Sequence, residues 1–428
     1  MIDVDKMGES LGMDVALHKE VLKAIDRAFR STVGKQRNRP GQMAYFDNVL
    51  HESHGGRVAE LLEGKERGEK IIGTFCIYVP DEIAYALDLI PIALCGGTSF
   101  SIPYAEKLFP RNICPLVKST LGLAFSKTCP YAPIKSLAVG ETTCDAKKKT
   151  WDYLAEKIPF HIMEVPQKKN AADAALWKGE VAEFSRRLEA LSGKPLTPER
   201  LSRGIRIMNA KRRSLQRLNE FRRLGPPPIS GLDALVVMQA ALNDDPVRFT
   251  RQCEELNSEL QDRARRQVSP FPSGVRRIMV SGCPSVMGNW KIQALIEQAG
   301  AAVVCDETCT GTRYFRDLVD EIDGTVEGML EAVADRYFRI DCSCFSPNKE
   351  RMENILRLAR EVKADGVVQY ILLYCHGYNV EAVKAASTLK KAGIPSLKIE
   401  TDYSEEDTGQ IRLRVEAFLE GLENHAKS

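Results

Sequence analysis

The chain has 428 residues, more than one ordinary hydrophobic core uses, so we expect two domains with connecting helices. Its 60 basic and 58 acidic residues leave a net charge of +2, which argues against a nucleic-acid-binding protein because such proteins usually carry a basic bias. Apolar residues make up 44% of the chain, enough to form sizeable cores.

The N-terminal segment MIDVDKMGES is acidic and lacks the apolar stretch of a secretory signal. No run of about 18 apolar residues suggests a membrane span. These features predict a cytoplasmic protein that does not associate with membranes. Thiols stay reduced in that compartment, so the twelve cysteines are interpreted as core residues, metal ligands or reactive thiols and not as disulfides.

Four segments follow one another along the chain. Residues 1–65 form a helical lead-in, 66–170 a first α/β domain, 171–268 a helical connecting region and 269–428 a second α/β domain. In both α/β segments, short apolar runs alternate with helical stretches of about 10–15 residues, which indicates parallel sheets. The predicted fold class is therefore α/β, with two parallel-sheet domains joined by a helical region.

Eight cysteines fall near predicted strand ends, at matching places in the two halves: Cys76, Cys95, Cys114 and Cys144, then Cys283, Cys309, Cys344 and Cys375. Ligands of parallel sheets bind at the carboxyl ends of the strands. Thiols brought together in a cleft between two domains are what an iron–sulfur cluster needs. The alternative is that each is a separate buried cysteine, a common environment for this residue.

Cys144 precedes a helix with Lys147 in its first turns, where a cation opposes the helix dipole. Lys147 would bind an anionic group or compensate a cluster; equally, the lysine run would be a solvated face. Cys375 is followed by His376, which could give a proton or a hydrogen bond to a cluster sulfur, and by a helix expected to begin near Asn379.

Three further observations narrow the chemistry. Of Cys342 and Cys344, at most one is expected to be a ligand, because the two cannot comfortably bind one iron, and the sequence does not decide which. Glu141 and Arg313 are expected near the cleft, and Arg313 would either pair with an anion there or simply cover a loop. The chain has no C-x-x-C pair, no G-x-G-x-x-G after a strand and no G-x-x-x-x-G-K-[ST], which disfavours structural zinc, a dinucleotide cofactor and ATP hydrolysis by a Walker loop.

Several long strings occur together in order: GTFCIYVPDEI, NICPLVKST, GETTCDAKKK, SGCP, DETCTGTR, DCSCFSPN and TDYSEEDTGQ. Through them the chain resembles the 2-hydroxyacyl-CoA dehydratase / benzoyl-CoA reductase superfamily, which includes the 2-hydroxyglutaryl-CoA dehydratase D-components. Within that superfamily it looks most like the double-cubane cluster proteins. The resemblance runs from about residue 65 to the C-terminus and implies two flavodoxin-like domains.

The resemblance also implies the cofactor and its ligands. One [4Fe–4S] cube would bind Cys114, Cys144 and Cys375. A double-cubane [8Fe–9S] cluster needs about six thiolates. The further candidates are Cys309 and Cys344, then Cys76 and Cys283. The implied partner is a separate homodimeric [4Fe–4S] ATPase that drives single electrons to low potential.

Three hypotheses follow. The first is a homodimeric iron–sulfur reductase that receives electrons from the ATP-hydrolysing activator and reduces a small molecule at a double-cubane cluster. The second is a subunit of a 2-hydroxyacyl-CoA dehydratase that carries one [4Fe–4S] cluster and eliminates water from a CoA thioester through a ketyl radical. The third is a non-catalytic thiol-rich protein that binds zinc. The surplus of strand-end cysteines separates the first from the second.

Overall fold

The structure, a computed structural model, describes residues 4–94, 96–321 and 324–427. Eight strands make up two sheets. The strands are β1 (Lys70–Thr74), β2 (Leu89–Ala93), β3 (Leu137–Glu141), β4 (Phe160–Met163), β5 (Arg276–Gly282), β6 (Ala301–Glu307), β7 (Gly366–Leu372) and β8 (Ser396–Thr401).

Helices surround and connect the sheets. Those of the first half are α1 (Val4–Ser10), α2 (Val15–Ser31), α3 (Met43–His51), α4 (Gly56–Glu66), α5 (Asp81–Ala86), α6 (Ile102–Ala105), α7 (Pro115–Phe125) and α8 (Asp145–Ala155). Those of the connecting region are α9 (Ala171–Ser192), α10 (Pro198–Phe221), α11 (Gly231–Ala241) and α12 (Pro246–Arg265). Those of the second half are α13 (Lys291–Gln298), α14 (Thr312–Phe315), α15 (Val326–Phe338), α16 (Lys349–Glu361), α17 (His376–Lys391) and α18 (Thr408–Lys427). Within the described ranges, none of these helices combines the length and apolar character that a membrane span requires.

Both sheets are parallel throughout and have the same topology. The first has the order β2-β1-β3-β4 and the second the order β6-β5-β7-β8. In each, the first strand along the chain pairs with the second on one side and the third on the other, as in flavodoxin-like sheets. The prediction of two parallel-sheet α/β domains is confirmed. The point where the strand order reverses lies between β1 and β3 in one sheet and between β5 and β7 in the other.

The central strands are buried along most of their length because helices cover both faces of a parallel sheet. Every residue of β3, β6 and β7 is buried. Apolar side chains of the two sheets belong to one continuous cluster that includes Ile92 and Ala138 from the first and Val280 and Ile371 from the second. This shared cluster holds the carboxyl edges of the two sheets in a defined relation to each other.

The connecting helices have ordinary starts. The residues before α9, α10, α11 and α12 are Asn170, Thr197, Ser230 and Asp245, and each accepts a hydrogen bond from a backbone N–H of the first turn. Such caps satisfy donors that otherwise lack a partner. The sequence therefore defines where these helices begin.

Candidate metal centre

Four cysteines lie directly beyond the two points of strand-order reversal. Cys76 follows β1 by two residues and Cys144 follows β3 by three. In the second sheet, Cys283 follows β5 at once and Cys375 follows β7 by three residues. Because ligands of open parallel sheets bind at these reversal points, the topology directs thiols from both halves towards one cleft.

Three cysteines occupy helix starts that oxygen-bearing residues usually take. Cys114, Cys144 and Cys375 are the N-cap residues of α7, α8 and α17, and none of them makes a side-chain capping hydrogen bond. The helix after Cys375 begins at His376, three residues before the predicted start. Gly377 in its first turn is a poor helix former and conceals this start in the sequence. A helix N-terminus has a positive potential, which favours a thiolate. The pKa is nevertheless raised at two of these positions, for Cys114 by the hydrogen bond to Cys375 and by burial, and for Cys144 by burial.

The first thiol group consists of Cys114, Cys144, Cys283 and Cys375. The thiols of Cys114 and Cys283 hydrogen-bond to that of Cys375, whose pKa is lowered to about 3 because both neighbours stabilise its thiolate. The backbone N–H of Tyr378 adds to this effect. Leu372 donates its N–H to the Cys283 sulfur at 3.3 Å. Cys144 is near enough for its charge to act on Cys114.

The second thiol group consists of Cys76, Cys309, Cys342 and Cys344. The Cys344 thiol hydrogen-bonds to Cys342 and lowers the pKa of Cys342 to about 7. The same bond raises the pKa of Cys344. Burial raises the pKa of Cys76 and of Cys309, and the charge of Cys309 adds to the rise at Cys76. One thiol in each group is therefore favoured as a thiolate.

Each group takes residues from both halves of the chain, and both groups border one cavity of about 400 Å³. The cysteines in its wall are Cys76, Cys114, Cys144, Cys283, Cys309, Cys342 and Cys375. Of Cys342 and Cys344, between which the sequence does not decide, it is Cys342 that lies in the wall. Within residues 4–94, 96–321 and 324–427, no three or more His, Cys, Asp or Glu side chains are arranged to hold a single metal ion.

Lys147 lies between the two groups. Its charge lowers the pKa of Cys144 and Cys375 in the first group and of Cys76, Cys309 and Cys342 in the second. Its ammonium lies 2.5 Å from Glu141 Oε1, which also accepts a hydrogen bond from Thr143 Oγ1 at 2.6 Å. Glu141 is fully buried, and its other carboxylate oxygen has no hydrogen-bond partner.

Arg313 is 1% exposed, and its guanidinium is engaged on several sides. Nε donates to Glu307 Oε1 at 2.7 Å, while Nη1 donates to the Gly282 carbonyl at 3.1 Å and to the Tyr378 hydroxyl. Nη1 also lies 3.8 Å from Cys309 Sγ. Arg313 thus braces the loops that carry the thiols of the second sheet and is not itself part of the cavity wall.

The remaining sequence candidates have varied positions. His376 is exposed and borders the cavity. Cys253 in α12 and Cys305 in β6 are fully buried, as expected of core residues. Cys95 lies outside the described residues. The roles of the cysteines, of Lys147 and of His376 toward a cluster stay predictions.

Sequence reasoning did not single out Tyr378 or Arg351. Both guanidinium groups, those of Arg313 and Arg351, lie about 5 Å from the Tyr378 ring, at 5.1 and 5.0 Å. The signal available was Tyr378 itself, three residues after Cys375 and so on the first turn of the same helix. Arg351 gave no signal, because its role depends on contacts with Glu307 and Glu381 from remote segments.

Comparison with known proteins identifies relatives that match this chain along most of its length. The family model described as 2-hydroxyglutaryl-CoA dehydratase, D-component matches residues 76–422. YjiM of Escherichia coli (strain K12), which its name describes provisionally as a dehydratase subunit, is 37% identical over 386 residues, covering 89% of this chain and 98% of that protein.

More distant relatives also match most of this chain. The (R)-phenyllactyl-CoA dehydratase beta subunit of Clostridium sporogenes is 25% identical over 84% of this chain and 93% of its own length. One of the benzoyl-CoA reductase subunits of Thauera aromatica is 20% identical over 87% of this chain and 96% of its own. With a family match that spans most of its length, this chain belongs to the 2-hydroxyglutaryl-CoA dehydratase D-component family.

Proposed function

We propose that this chain is the iron–sulfur component of a two-component enzyme. In this proposal it holds a double-cubane [8Fe–9S] cluster in the cleft, receives low-potential electrons from a separate ATP-hydrolysing activator and reduces a small molecule. The observation that carries the proposal is the pair of thiol groups bordering one cavity, each drawn from both halves of the chain. The coarser assignment, a 2-hydroxyacyl-CoA dehydratase-like component, follows from the family.

The donor set fits an iron–sulfur centre. Thiolates are the ligands that iron–sulfur clusters use. In a polynuclear cluster the thiolates bind different irons, so they need only border a common cavity. Seven thiols in one wall exceed the three that a single cube of this family would take, and their division into two groups suits two joined cubes. When bound, such a cluster would supply single electrons at low potential.

The chain's own residues would do three things at this site. The N-cap cysteines Cys114, Cys144 and Cys375 would present their sulfurs at the positive ends of helices, where the negative charge of a bound cluster is favoured. Lys147 offsets negative charge between the two groups. Apolar walls, among them Leu116, exclude water and so help to set the reduction potential.

A partner is part of the proposal for two reasons. The relatives named here are subunits of larger enzymes, which implies assembly with other chains. The sequence also has no Walker loop, so ATP hydrolysis would take place on the activator. A homodimer of this chain is proposed as the unit that the activator meets.

A second candidate function is that of a dehydratase subunit with a single cube. The names of the relatives favour dehydration of a 2-hydroxyacyl-CoA thioester. The three N-cap cysteines form a set by themselves and coincide with the three ligands that a single cube would use. In that case the remaining thiols would border the cleft without binding iron.

Iron and sulfide analysis of protein purified without oxygen distinguishes these functions. The proposal expects about eight irons and nine labile sulfides per chain, and a single cube about four irons. Sedimentation of the chain alone would show a homodimer if it is the reductase. If it is the dehydratase, the functional complex would form only with a dissimilar second subunit. Protein that contains zinc and no iron, or that takes up no metal, would refute both.

A further inference from the structure

The cavity continues beyond the thiols to an inner end beneath the connecting helices. We define the inner end by five residues of its wall: Asp81, Tyr85, Lys211, Asp244 and Tyr314. Asp81 and Tyr85 come from α5, Lys211 from α10 and Tyr314 from α14. Asp244 lies between α11 and α12, so four segments that are separate in sequence meet around a polar space, which neither the family nor the thiol chemistry explains.

Lys211 is the most unusual residue of the inner end. It is 3% exposed, and within the described ranges its ammonium has no carboxylate at ion-pair distance and no hydrogen bond. Its neighbours are aromatic rings, with Nζ 5.3 Å from the ring centre of Tyr314 and 5.8 Å from that of Phe249. Burial of an ammonium without an anionic partner is costly, so a charge of this kind calls for a counter-ion.

The two carboxylates at the inner end do not supply that counter-ion. Asp244 is committed to Arg248 and to the hydroxyl of Tyr45. Asp81 influences Lys211 only from beyond ion-pair distance, and burial raises the pKa of Asp81 to about 6 in spite of that cation. Within the described ranges, the ammonium of Lys211 thus lines the cavity without a carboxylate at ion-pair distance.

Tyr314 provides a second, independent observation that points to an anion bound at the inner end. Its side chain is 4% exposed, and its hydroxyl is buried without a hydrogen-bond partner. Buried hydroxyl groups normally have one. A hydroxyl and an ammonium beside the same ring offer several donors to a single anion, and a carboxylate with two oxygens can accept from both.

Other buried cations of the described residues have partners within the protein. Arg212 bonds to Glu82 at 2.5 Å, Arg222 to Asp306 at 2.7 Å and Arg313 to Glu307 at 2.7 Å. Arg336 has no ion pair within the described ranges but donates to the backbone carbonyls of Asp317 and Tyr314. These buried cations are therefore satisfied by carboxylates or by carbonyl oxygens of the fold. Lys211 departs from this pattern at the one place where its ammonium borders a cavity large enough for a small molecule.

We propose that Lys211 and Tyr314 form a subsite for the carboxylate of a small substrate, which then extends towards the thiols. This inference rests on the proposed function, because it makes the cleft the place where the substrate is reduced. It adds the substrate class: a small molecule with a terminal carboxylate. That carboxylate belongs either to a free acid or to the far end of an acyl group carried as a thioester.

The test is calorimetric binding to protein purified without oxygen, with butyrate and its neutral counterpart butyramide as probes. We expect butyrate to bind and butyramide to bind at least about tenfold more weakly. Lys211→Met should weaken butyrate binding by about tenfold to a hundredfold, and Tyr314→Phe by about threefold to tenfold, since each removes donors to the carboxylate. Lys211→Arg, which keeps the charge, should recover part of the loss.

The matched control is Lys291→Met. Lys291 is also a largely buried lysine, but it pairs with Asp407 and is absent from the cavity wall. Its replacement should leave butyrate affinity unchanged. Equal binding of butyrate and butyramide, or wild-type affinity in Lys211→Met, would overturn the subsite. If Lys211→Met does not fold, the subsite would be overturned by two results together. These are wild-type butyrate affinity in Tyr314→Phe and equal binding of butyrate and butyramide by the wild type.

Two further probes separate the sources of the carboxylate. A preference of the wild type for glutaryl-CoA over butyryl-CoA that disappears in Lys211→Met would assign the subsite to the far end of a thioester-linked acyl group. An effect of Lys211→Met on butyrate alone would assign it to a free acid. Iron content is measured on the same samples, so iron without carboxylate binding rejects the subsite alone, and binding without iron rejects the proposed function alone.

Discussion

The ammonium of Lys147 lies 2.5 Å from Glu141 Oε1, and this ion pair joins the two thiol groups of the cleft. Glu141 ends β3 and is fully buried, while Lys147 comes from the first turns of α8. The carboxylate fixes the direction of the lysine, and the charge of the lysine reaches thiols of both groups. A cation that opposes its own helix dipole is thereby explained by the anionic surroundings it serves.

Removal of this cation should make the cleft less favourable for negative charge. We expect Lys147→Met to lower the reduction potential of the bound centre by tens of millivolts and to reduce its iron content, because local charge sets cluster potential. Anaerobic potentiometric titration measures the first and iron analysis the second. Lys149→Met is the matched control: that side chain is 75% exposed, and an unchanged potential is expected. Equal shifts in the two variants would contradict the role given to Lys147.

Single cysteine replacements should discriminate ligands from neighbours. Cys375→Ser and Cys342→Ser are expected to lose at least half of the iron, since each replaces the thiolate favoured in its group. Cys253→Ser should retain all of it, because Cys253 is a core residue of α12. Comparison of Cys342→Ser with Cys344→Ser decides between these two residues, and greater iron loss in Cys344→Ser would make Cys344 the ligand.

Gly282 is required by the backbone beside Cys283. Its φ is +133°, and a Cβ there would lie 2.1 Å from the carbonyl oxygen of Tyr370, which accepts the Cys283 N–H at 2.9 Å. Gly282→Ala should therefore cost at least about 2 kcal/mol of unfolding free energy and displace Cys283. Urea unfolding measures the cost. Gly179→Ala in α9, where no atom lies within 4 Å, should instead stabilise by about 0.5–1 kcal/mol. Destabilisation by both changes alike would refute the steric explanation.

A buried ion pair joins α10 of the connecting region to α5 of the first half and α15 of the second half. Arg212 and Glu82 are fully buried, and the Tyr337 hydroxyl donates to the second Glu82 oxygen at 2.7 Å. Arg212→Met leaves Glu82 as an unpaired buried charge, so we expect a loss of about 3–5 kcal/mol in chemical unfolding. Arg213→Met, at an exposed pair with Glu321, should cost less than about 1 kcal/mol. Adding Glu82→Gln to Arg212→Met should recover part of the loss; no recovery would mean that the charge is not its cause.

Two stacked histidines predict loss of stability in acid. The rings of His18 and His54 are 5.2 Å apart, beside the edge of Tyr131, and burial lowers the pKa of His54 to about 3. The unfolded chain would bind this proton near pH 6.5, so the contribution is complete above that pH and falls as the pH drops below it. The loss is about 2 kcal/mol at pH 5. Burial also lowers the pKa of His18, and the negative charge of Asp5 partly opposes that decrease.

Urea midpoints of the wild type and His54→Leu at pH 8 and pH 5 isolate this contribution. The variant has no imidazole to protonate at position 54 and should lose less stability than the wild type between the two values. Parallel losses in the two proteins would assign the acid sensitivity to other groups.

Much of the architecture was accessible from local patterns. Apolar runs such as Ile71–Thr74 and the helical stretches between them predicted two parallel sheets, and both are present. The positions of Cys76, Cys144, Cys283 and Cys375 just beyond strands were equally local, because a strand end is visible as a change of composition. The start of α17 was misjudged, since Gly377 obscures the first turn.

The details of the site were less accessible. Sequence reasoning named Cys344 as a candidate but could not decide between Cys342 and Cys344, because a difference of two residues in a loop has no periodic pattern to reveal it. In the structure Cys342 borders the cavity. The same reasoning expected Arg313 near the cleft but could not know that the guanidinium is occupied by Glu307 and Tyr378. Lys211 and Tyr314 gave no signal, since a buried lysine on an amphipathic helix looks like any other.

The amino-acid sequence by itself determined the repeated α/β units and the placing of thiols at their strand ends, because both depend on neighbours a few residues away. Only the tertiary structure decided which thiols share a group and which buried cation lacks a partner. Cys309 comes near enough to Cys76 for its charge to act on it, and the Lys211 ammonium lies beside the Tyr314 ring, through the packing of segments more than 100 residues apart. Such encounters follow from how the two sheets share one hydrophobic cluster, which no local pattern encodes.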